Sequence, residues 1–350
     1  MAAAGKVAAK RSGSWLAVAV LLGCSASAAG PDSAAGPDSV AGPDSSAADQ
    51  APDQVAVDAA SDVSSALQCK PGWLQVLSQQ GPLCAPDVPA WGALPAMATP
   101  VQAAADGVYS DPRTQRQWLL KTATVLYNWQ QAQAACAAEQ SAGQSDWHLP
   151  TAAELQTLCN FKYMLPASDL PLAPTAWYWS ASPVASAPDK AWGVAMASGM
   201  ATQVPATTPG LALCVRAVAE QVPAKTARFE SDAKHETVLD HLTGLTWQRQ
   251  GDASGLQPFA YAQSYCEKLP LAGGGWRTPS LQELAGLVDR STAQPAADAV
   301  ALPGTKAAPY WTNTAYKGAA IYAWYVEFFA GSSSFDGDQT YTYAWVRCVR

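Results

Sequence analysis

The sequence predicts an α+β protein of two tandem domains, each with two helices and an antiparallel sheet of short strands. Three observations lead there. The first is an internal duplication: Trp118, Trp147, Glu154, Tyr178, Trp192 and Cys214 recur as Trp247, Trp276, Glu283, Tyr310, Trp324 and Cys348, at offsets of 129, 129, 129, 132, 132 and 134 residues. A unit of roughly 110–125 residues is the size of an independent domain rather than of a solenoid repeat. The second is a change of hydrophobic period inside each copy, from helical spacing to strand alternation. The third is a cysteine near the start and another at the end of each copy.

Residues 1–23 read as an export signal. Lys6, Lys10 and Arg11 form a basic start, and Trp15 to Leu22 form an apolar run too short to span a bilayer. The run ends in Leu21-Leu22-Gly23-Cys24, which resembles a bacterial lipobox. Cleavage before Cys24 would leave a lipidated cysteine that ties the protein to a membrane, and Ser25 after it fits sorting to the outer membrane. The alternative is an ordinary cut at a small residue between Ala26 and Ala29. Residues 24–66 are low in complexity: Ala-Gly-Pro-Asp-Ser occurs three times, with seven Asp and no Lys or Arg between Ser25 and Ala66. Such a stretch is expected to be an extended, self-repelling tether.

The tether carries much of the formal net charge of −7. Residues 105–222 hold 6 basic and 8 acidic side chains, and 226–350 hold 10 and 12. Neither copy has the basic excess that nucleic acid would require.

Of the eight cysteines, Cys24 is assigned to lipid. Export permits disulfides among the others. Cys69 and Cys84 close a small loop in residues 67–104. Cys136 with Cys214 and Cys266 with Cys348 hold equivalent positions and most simply pair within each copy, each bridge contributing about 4–5 kcal/mol on the chain-entropy account. Cys159 is left over, at the position where the second copy has Val288. It reads as a buried apolar thiol, the alternative being a reactive nucleophile or an intermolecular bridge.

Repeat 1 spans 105–222 and repeat 2 spans 223–350. Asn128 to Gln140 and Phe259 to Leu269 are expected as the first helix of each. Trp129, Ala132 and Cys136, and again Phe259, Ala262 and Cys266, fall on one helical face. The second helices open with the capping boxes Thr151-Ala-Ala-Glu154 and Ser280-Leu-Gln-Glu283, each after a proline. Glu154 and Glu283 therefore have a structural role. Tyr178 to Ser182, Tyr310 to Thr314, Ala323 to Phe328 and Tyr341 to Val349 are aromatic, hydroxyl-rich or alternating, and read as strands. Tryptophans at duplicated positions are expected in the core.

These residues resemble the DUF1566 family, named after the C-terminal domain of a Legionella collagen-like adhesin. Repeat 2 carries the pattern nearly throughout: Phe229, Thr237-Val238, Asp240, Thr243-Gly-Leu-Thr-Trp247, Cys266, Trp276-Arg277, Pro279, Glu283-Leu284, Tyr310-Trp311, Trp324, Phe328 and Arg347-Cys-Val-Arg350. Repeat 1 departs from it, with His148 for Arg277 and Leu213 for Arg347. The arrangement is also similar to C-type-lectin-like domains, where an early-helix cysteine bonds to a cysteine of the last strand. The resemblance implies an envelope or secreted protein. The named adhesin binds sulfated glycans, which the near-neutral repeats here do not favour.

The reading is a lipid-anchored bacterial envelope protein, periplasmic or surface-exposed. It would carry two non-catalytic binding or adhesion modules, with glycan bound through repeat 2. The alternative is an architectural lipoprotein that engages envelope proteins. The segment from Ala330 to Thr342 offers candidate ligand residues: Phe335, Tyr341 and Tyr343 as an aromatic platform beside Asp336 and Asp338. The two carboxylates could contribute to a calcium site, although the Glu-Pro-Asn and Trp-Asn-Asp signatures of sugar-binding C-type lectins are missing. The competing reading is a plain solvated loop. No cofactor and no metal are otherwise expected. Enzymatic activity is not expected either, since no Ser/His/Asp or Cys/His constellation occurs and only three histidines exist. Arg277, Arg347 and Arg350 are expected to pair with carboxylates at the sheet edge.

Overall fold

A computed structural model describes residue 69 and residues 73–87, 102–103, 107–120, 125–173, 177–217, 228–340 and 342–350. Cys24 and the stretches read above as an export signal (1–23) and a tether (24–66) lie outside the described residues. A hairpin of β1 (Trp73–Ser78) and β2 (Gly81–Pro86) comes first, closed by the Cys69–Cys84 disulfide. Val76 and Ala85 of this hairpin join the core of repeat 1 alongside Cys136, Trp147 and Trp179.

Repeat 1 contains β3 (Gln102–Ala103), β4 (Val108–Asp111), β5 (Arg116–Leu119), β6 (Leu126–Tyr127), α1 (Trp129–Ala137), α2 (Ala152–Gln156), β7 (Trp177–Pro183), β8 (Lys190–Ala195), β9 (Met200–Pro205), β10 (Gly210–Leu211) and β11 (Cys214–Ala217). Its sheets run β6-β10-β7-β8-β9 and β11-β5-β4-β3. Repeat 2 contains β12 (Phe229–Asp232), β13 (Thr237–Asp240), β14 (Thr246–Gln248), β15 (Gln257–Pro258), α3 (Phe259–Lys268), α4 (Leu281–Ala285), β16 (Pro309–Ala315), β17 (Tyr322–Glu327), β18 (Ser332–Asp338) and β19 (Tyr343–Ala344). Its sheets are β12-β13-β14, β15-β19 and β16-β17-β18. The class is α+β: among the described residues there are four short α-helices and small sheets whose strand pairings are antiparallel save for β10–β7, with one further parallel bridge between Tyr310 and Trp345.

The helices begin where the sequence signals. Thr151 and Ser280 cap α2 and α4, and Glu154 and Glu283 reach back to the cap N–H groups. Asn128 with Gln131 forms a third box at α1. The cysteine bridges join Cys136 to Cys214 and Cys266 to Cys348, so each first helix is bonded to the end of its own repeat. The duplicated aromatics anchor equivalent backbone. Trp179 Nε1 donates to Tyr127 O at 2.9 Å and Trp311 Nε1 to Gln257 O at 2.8 Å. The hydroxyls of Tyr178 and Tyr310 each accept a backbone N–H, from Ala173 and Lys306, at 2.8 Å.

Two expectations need correction. The last stretch of repeat 2 is not one alternating strand: only Tyr343–Ala344 is regular, followed by isolated bridges to Tyr310, Trp247 and Arg277. Arg347 explains the break, because it turns inward, 2% exposed, and donates to Gln248 O and Arg249 O. The segment from Ala330 to Thr342 is not a solvated loop either. Its centre is β18, which is hydrogen-bonded to β17 and faces β9 of repeat 1. Gly337 is required there, since a Cβ would sit 2.7 Å from Trp311 Cζ3.

The two repeats meet through equivalent residues. Ala201 of β9 donates its N–H to Ser333 Oγ of β18 at 3.3 Å, and these residues correspond in the duplication. Phe161, just after α2, packs edge-on against Trp324 of repeat 2 at 5.2 Å. Its counterpart Arg290, just after α4, lies over Trp192 of repeat 1 at 5.2 Å. Phe161 and Met200 pack onto the core cluster of repeat 2. The small side chains Ser332, Ser333 and Ser334 permit this approach. Burial of both sheet edges against each other removes two sites of unwanted strand addition.

Candidate functional site

Of the residues singled out for ligand binding, the structure describes Phe335, Asp338 and Tyr343 in full, and these three have separate surroundings. Phe335 is taken up by packing: its ring stacks on Tyr316 with centroids 4.0 Å apart and meets Trp324 edge-on at 5.1 Å. It is a wall of the inter-repeat core, not a platform. Asp338 Oδ1 accepts the Thr340 N–H at 2.8 Å and so shapes the turn after β18. Tyr343 is 53% exposed on β19, beside Pro258. Tyr341 and the side chain of Asp336 lie outside the described residues. Among the described residues no three His, Cys, Asp or Glu side chains converge as metal ligands.

The arginines behave in two ways. Arg277 pairs with Glu283 at 2.6 Å, as expected. Arg350 instead donates to the Ala272 and Gly274 carbonyls and lies over Trp276. Arg347 likewise serves backbone oxygens, with Thr305 Oγ1 at 2.9 Å. Both are used to close irregular backbone rather than to neutralise acids, because the chain around them lacks strand partners for its carbonyls.

In repeat 1, His148 stands where Arg277 does, and Glu154 has changed partner. Arg116 Nε of β5 donates to Glu154 Oε1 at 2.9 Å, and His148 Nε2 is 3.5 Å from Oε2. Burial pushes the Glu154 carboxyl up, but Arg116, His148 and the Thr151 N–H outweigh it and hold it down to about 2. This is a structural ion pair that fixes α2 on β5. Cys159 is fully buried and burial pushes its thiol up to about 12, the opposite of what a nucleophile needs.

Sequence reasoning missed a buried polar group at the junction. Asp87, which follows β2, accepts the Ser182 hydroxyl at 2.7 Å and the Ala153 N–H at 3.5 Å. Burial pushes its carboxyl up to about 6, against the pull of Arg290. The residue keeps part of its surface while its carboxylate points inward. Arg290, 4% exposed, donates to Gln156 Oε1 at 2.9 Å. Thus residues of the hairpin, repeat 1 and repeat 2 meet at one place. A lone Asp87 in a proline-rich stretch gave no signal of this in the sequence.

No curated protein sequence matches the chain. The family profile of the Lcl C-terminal domain matches residues 107–216 and again 236–350, together more than half of the chain. Both matches contain the first-helix cysteine, the capping-box glutamate, the aromatic strand and the closing cysteine described above. The chain belongs to the Lcl C-terminal domain family, as a tandem of two copies.

Proposed function

We propose that the protein is a non-catalytic binding module of the bacterial cell envelope. It is anchored through lipid on Cys24, held off the membrane by the tether of residues 24–66, and takes its ligand on repeat 2. Membership of an adhesin-type domain family carries this reading. A C-type-lectin-like fold belongs to the same proposal. It is supported by two helices and short sheets in each copy, with the first helix bonded to the end of the repeat. The absence of catalytic chemistry is part of the reading too: among the described residues the free cysteine, Cys159, is buried, His235 pairs with Asp232 and His241 pairs with Glu230.

The ligand class is a glycan. A protein partner is the second reading. The observation that favours it is exposed apolar surface at equivalent places, Leu126 at 59% and Leu256 at 51%, with Ile321 at 57%. The test uses the full lipoprotein in its native membrane. Metabolic labelling with a fatty acid, lost in Cys24→Ala, reports the anchor. A glycan array probed with the oxidised protein, with and without calcium, reports the ligand. Binding to glycans supports the first reading; a blank array with specific cross-linking to envelope proteins sinks it in favour of the second.

A further inference from the structure

The chain passes from Cys69 through β1, a turn and β2 to Asp87 before it reaches repeat 1. The two strands pair antiparallel from Trp73↔Pro86 at one end to Ser78↔Gly81 at the turn. The points where the chain enters and leaves the hairpin therefore lie at the same end. Hydrogen bonds of an antiparallel pair run across the strands. A pull applied between those two points acts along these bonds and opens the six pairs one after another, the least resistant way to stretch a hairpin.

Repeat 1 depends on this hairpin staying closed. Val76 and Ala85, 2% and 3% exposed, belong to its core together with Cys136, Trp147 and Trp179. At the turn, Gln80 Nε2 donates to Ser145 Oγ at 3.0 Å. At the other end, Asp87 accepts the Ser182 hydroxyl at 2.7 Å. Peeling β1 from β2 would draw Val76 out of that core.

The Cys69–Cys84 disulfide crosses the hairpin at the end where it would open. It gives a covalent route from Cys69 to Cys84 that leaves residues 70–83 off the path of a pull. Both cysteines are half-buried, whereas the four that close the repeats are 0% exposed. Repeat 2 has no such device: no cysteine lies between β11, which ends at Ala217, and β12, which begins at Phe229. The bridged hairpin occurs where the N-terminal segment joins the domains, and not where one domain joins the next.

We propose that the Cys69–Cys84 disulfide is a tension bypass. Pull on the N-terminal segment passes from Cys69 straight to Cys84 and Asp87, so β1 stays paired and Val76 stays in the core while the protein is held at that end. The proposal rests on the reading of residues 24–66 as a tether and adds a mechanical role to it.

The experiment stretches the full chain from Ser25 onward at constant force, between handles at its two ends, with and without a small thiol. The thiolate bonds to one sulfur of the disulfide and the other leaves as a thiolate. Cleavage should release one early step of about 45 Å, since the cysteines are 15 residues apart, each residue extends by about 3.3 Å, and 5.5 Å already separates the two Cα atoms. The rate of this step should rise several-fold with force, because the bond lies on the stretched path. Cys69→Ser with Cys84→Ser should show the same extension without thiol, at a force below any that unfolds the wild type. A missing early step, or one whose rate is indifferent to force, puts the bond off the path and overturns the proposal. A double variant that first unfolds a whole repeat overturns it as well. The thiol experiment on the wild type decides the matter where the variant does not fold. The fatty-acid label on Cys24 is read separately, so a chain without it sinks the anchor and not the route of tension.

Discussion

Phe161→Ala tests whether the two family copies share one core. The ring of Phe161 packs on the clusters of both repeats and meets Trp324 edge-on. Deleting a fully buried phenylalanine costs about 3–5 kcal/mol. Phe161 is only half-buried, which brings the packing loss to about half that, and the lost aromatic pair adds about 0.5–1.5 kcal/mol. The expected loss is therefore about 2–4 kcal/mol. For a cooperative unit of this size it lowers the melting temperature by about 4 °C. Guanidinium unfolding followed by tryptophan fluorescence measures it, since the fourteen tryptophans report on both repeats. Both repeats should unfold in one transition, and that transition should move as a whole. A cycle with Trp324→Ala should show coupling of about 0.5–1.5 kcal/mol. Two separate transitions in the wild type, of which Phe161→Ala moves only the one belonging to repeat 1, would refute the shared core.

Further predictions concern single groups. Asp87→Asn should stabilise the protein at pH 7 by about 1 kcal/mol, a figure reduced for the partial exposure of the residue. Because the folded carboxyl titrates at about 6 against 3.8 ordinarily, its proton favours folding. Wild-type stability should thus carry a component that is present below pH 3.8 and lost as pH rises through 6, and pH-dependent melting of the variant should lack it. Cys159 should resist thiol reagents in the native protein lacking the first 24 residues and react with one equivalent after denaturation. Rapid native labelling would contradict its burial. Gly331→Ala should cost about 2–3 kcal/mol, since φ is +95° and a Cβ would sit 2.5 Å from Val288 Cγ1. Gly244→Ala, at φ +73° with open space, should cost about 1 kcal/mol by chemical denaturation.

Local and duplicated signals made part of this molecule legible. Thr151 and Ser280 announce their helices because a capping box is complete within four residues. The cysteine pairs follow from duplication, since equivalent partners leave one economical solution. What remained hidden is long-range. Nothing near Phe161 or Arg290 names the tryptophan each will meet in the other copy. The run Gly331-Ser-Ser-Ser reads as a loop by composition, yet small residues serve equally where two sheets must approach closely. A polypeptide of residues 226–350 alone would expose the Trp324 face that Phe161 covers, so binding assays belong on the full chain.

The meeting of Ala201 with its own counterpart Ser333, and the exchange of Phe161 and Arg290 across the junction, describe an internal two-fold axis. Such a contact is isologous: each copy presents the same patch, and one pairing saturates it. An array that grew by this face would stop at two members, in contrast to head-to-tail repeats, which always end on a vacant surface. A third copy appended to this chain would carry its own bare sheet edge and unmatched post-helix residue. The duplication is thereby closed at this face, and a further domain would have to dock on some other surface.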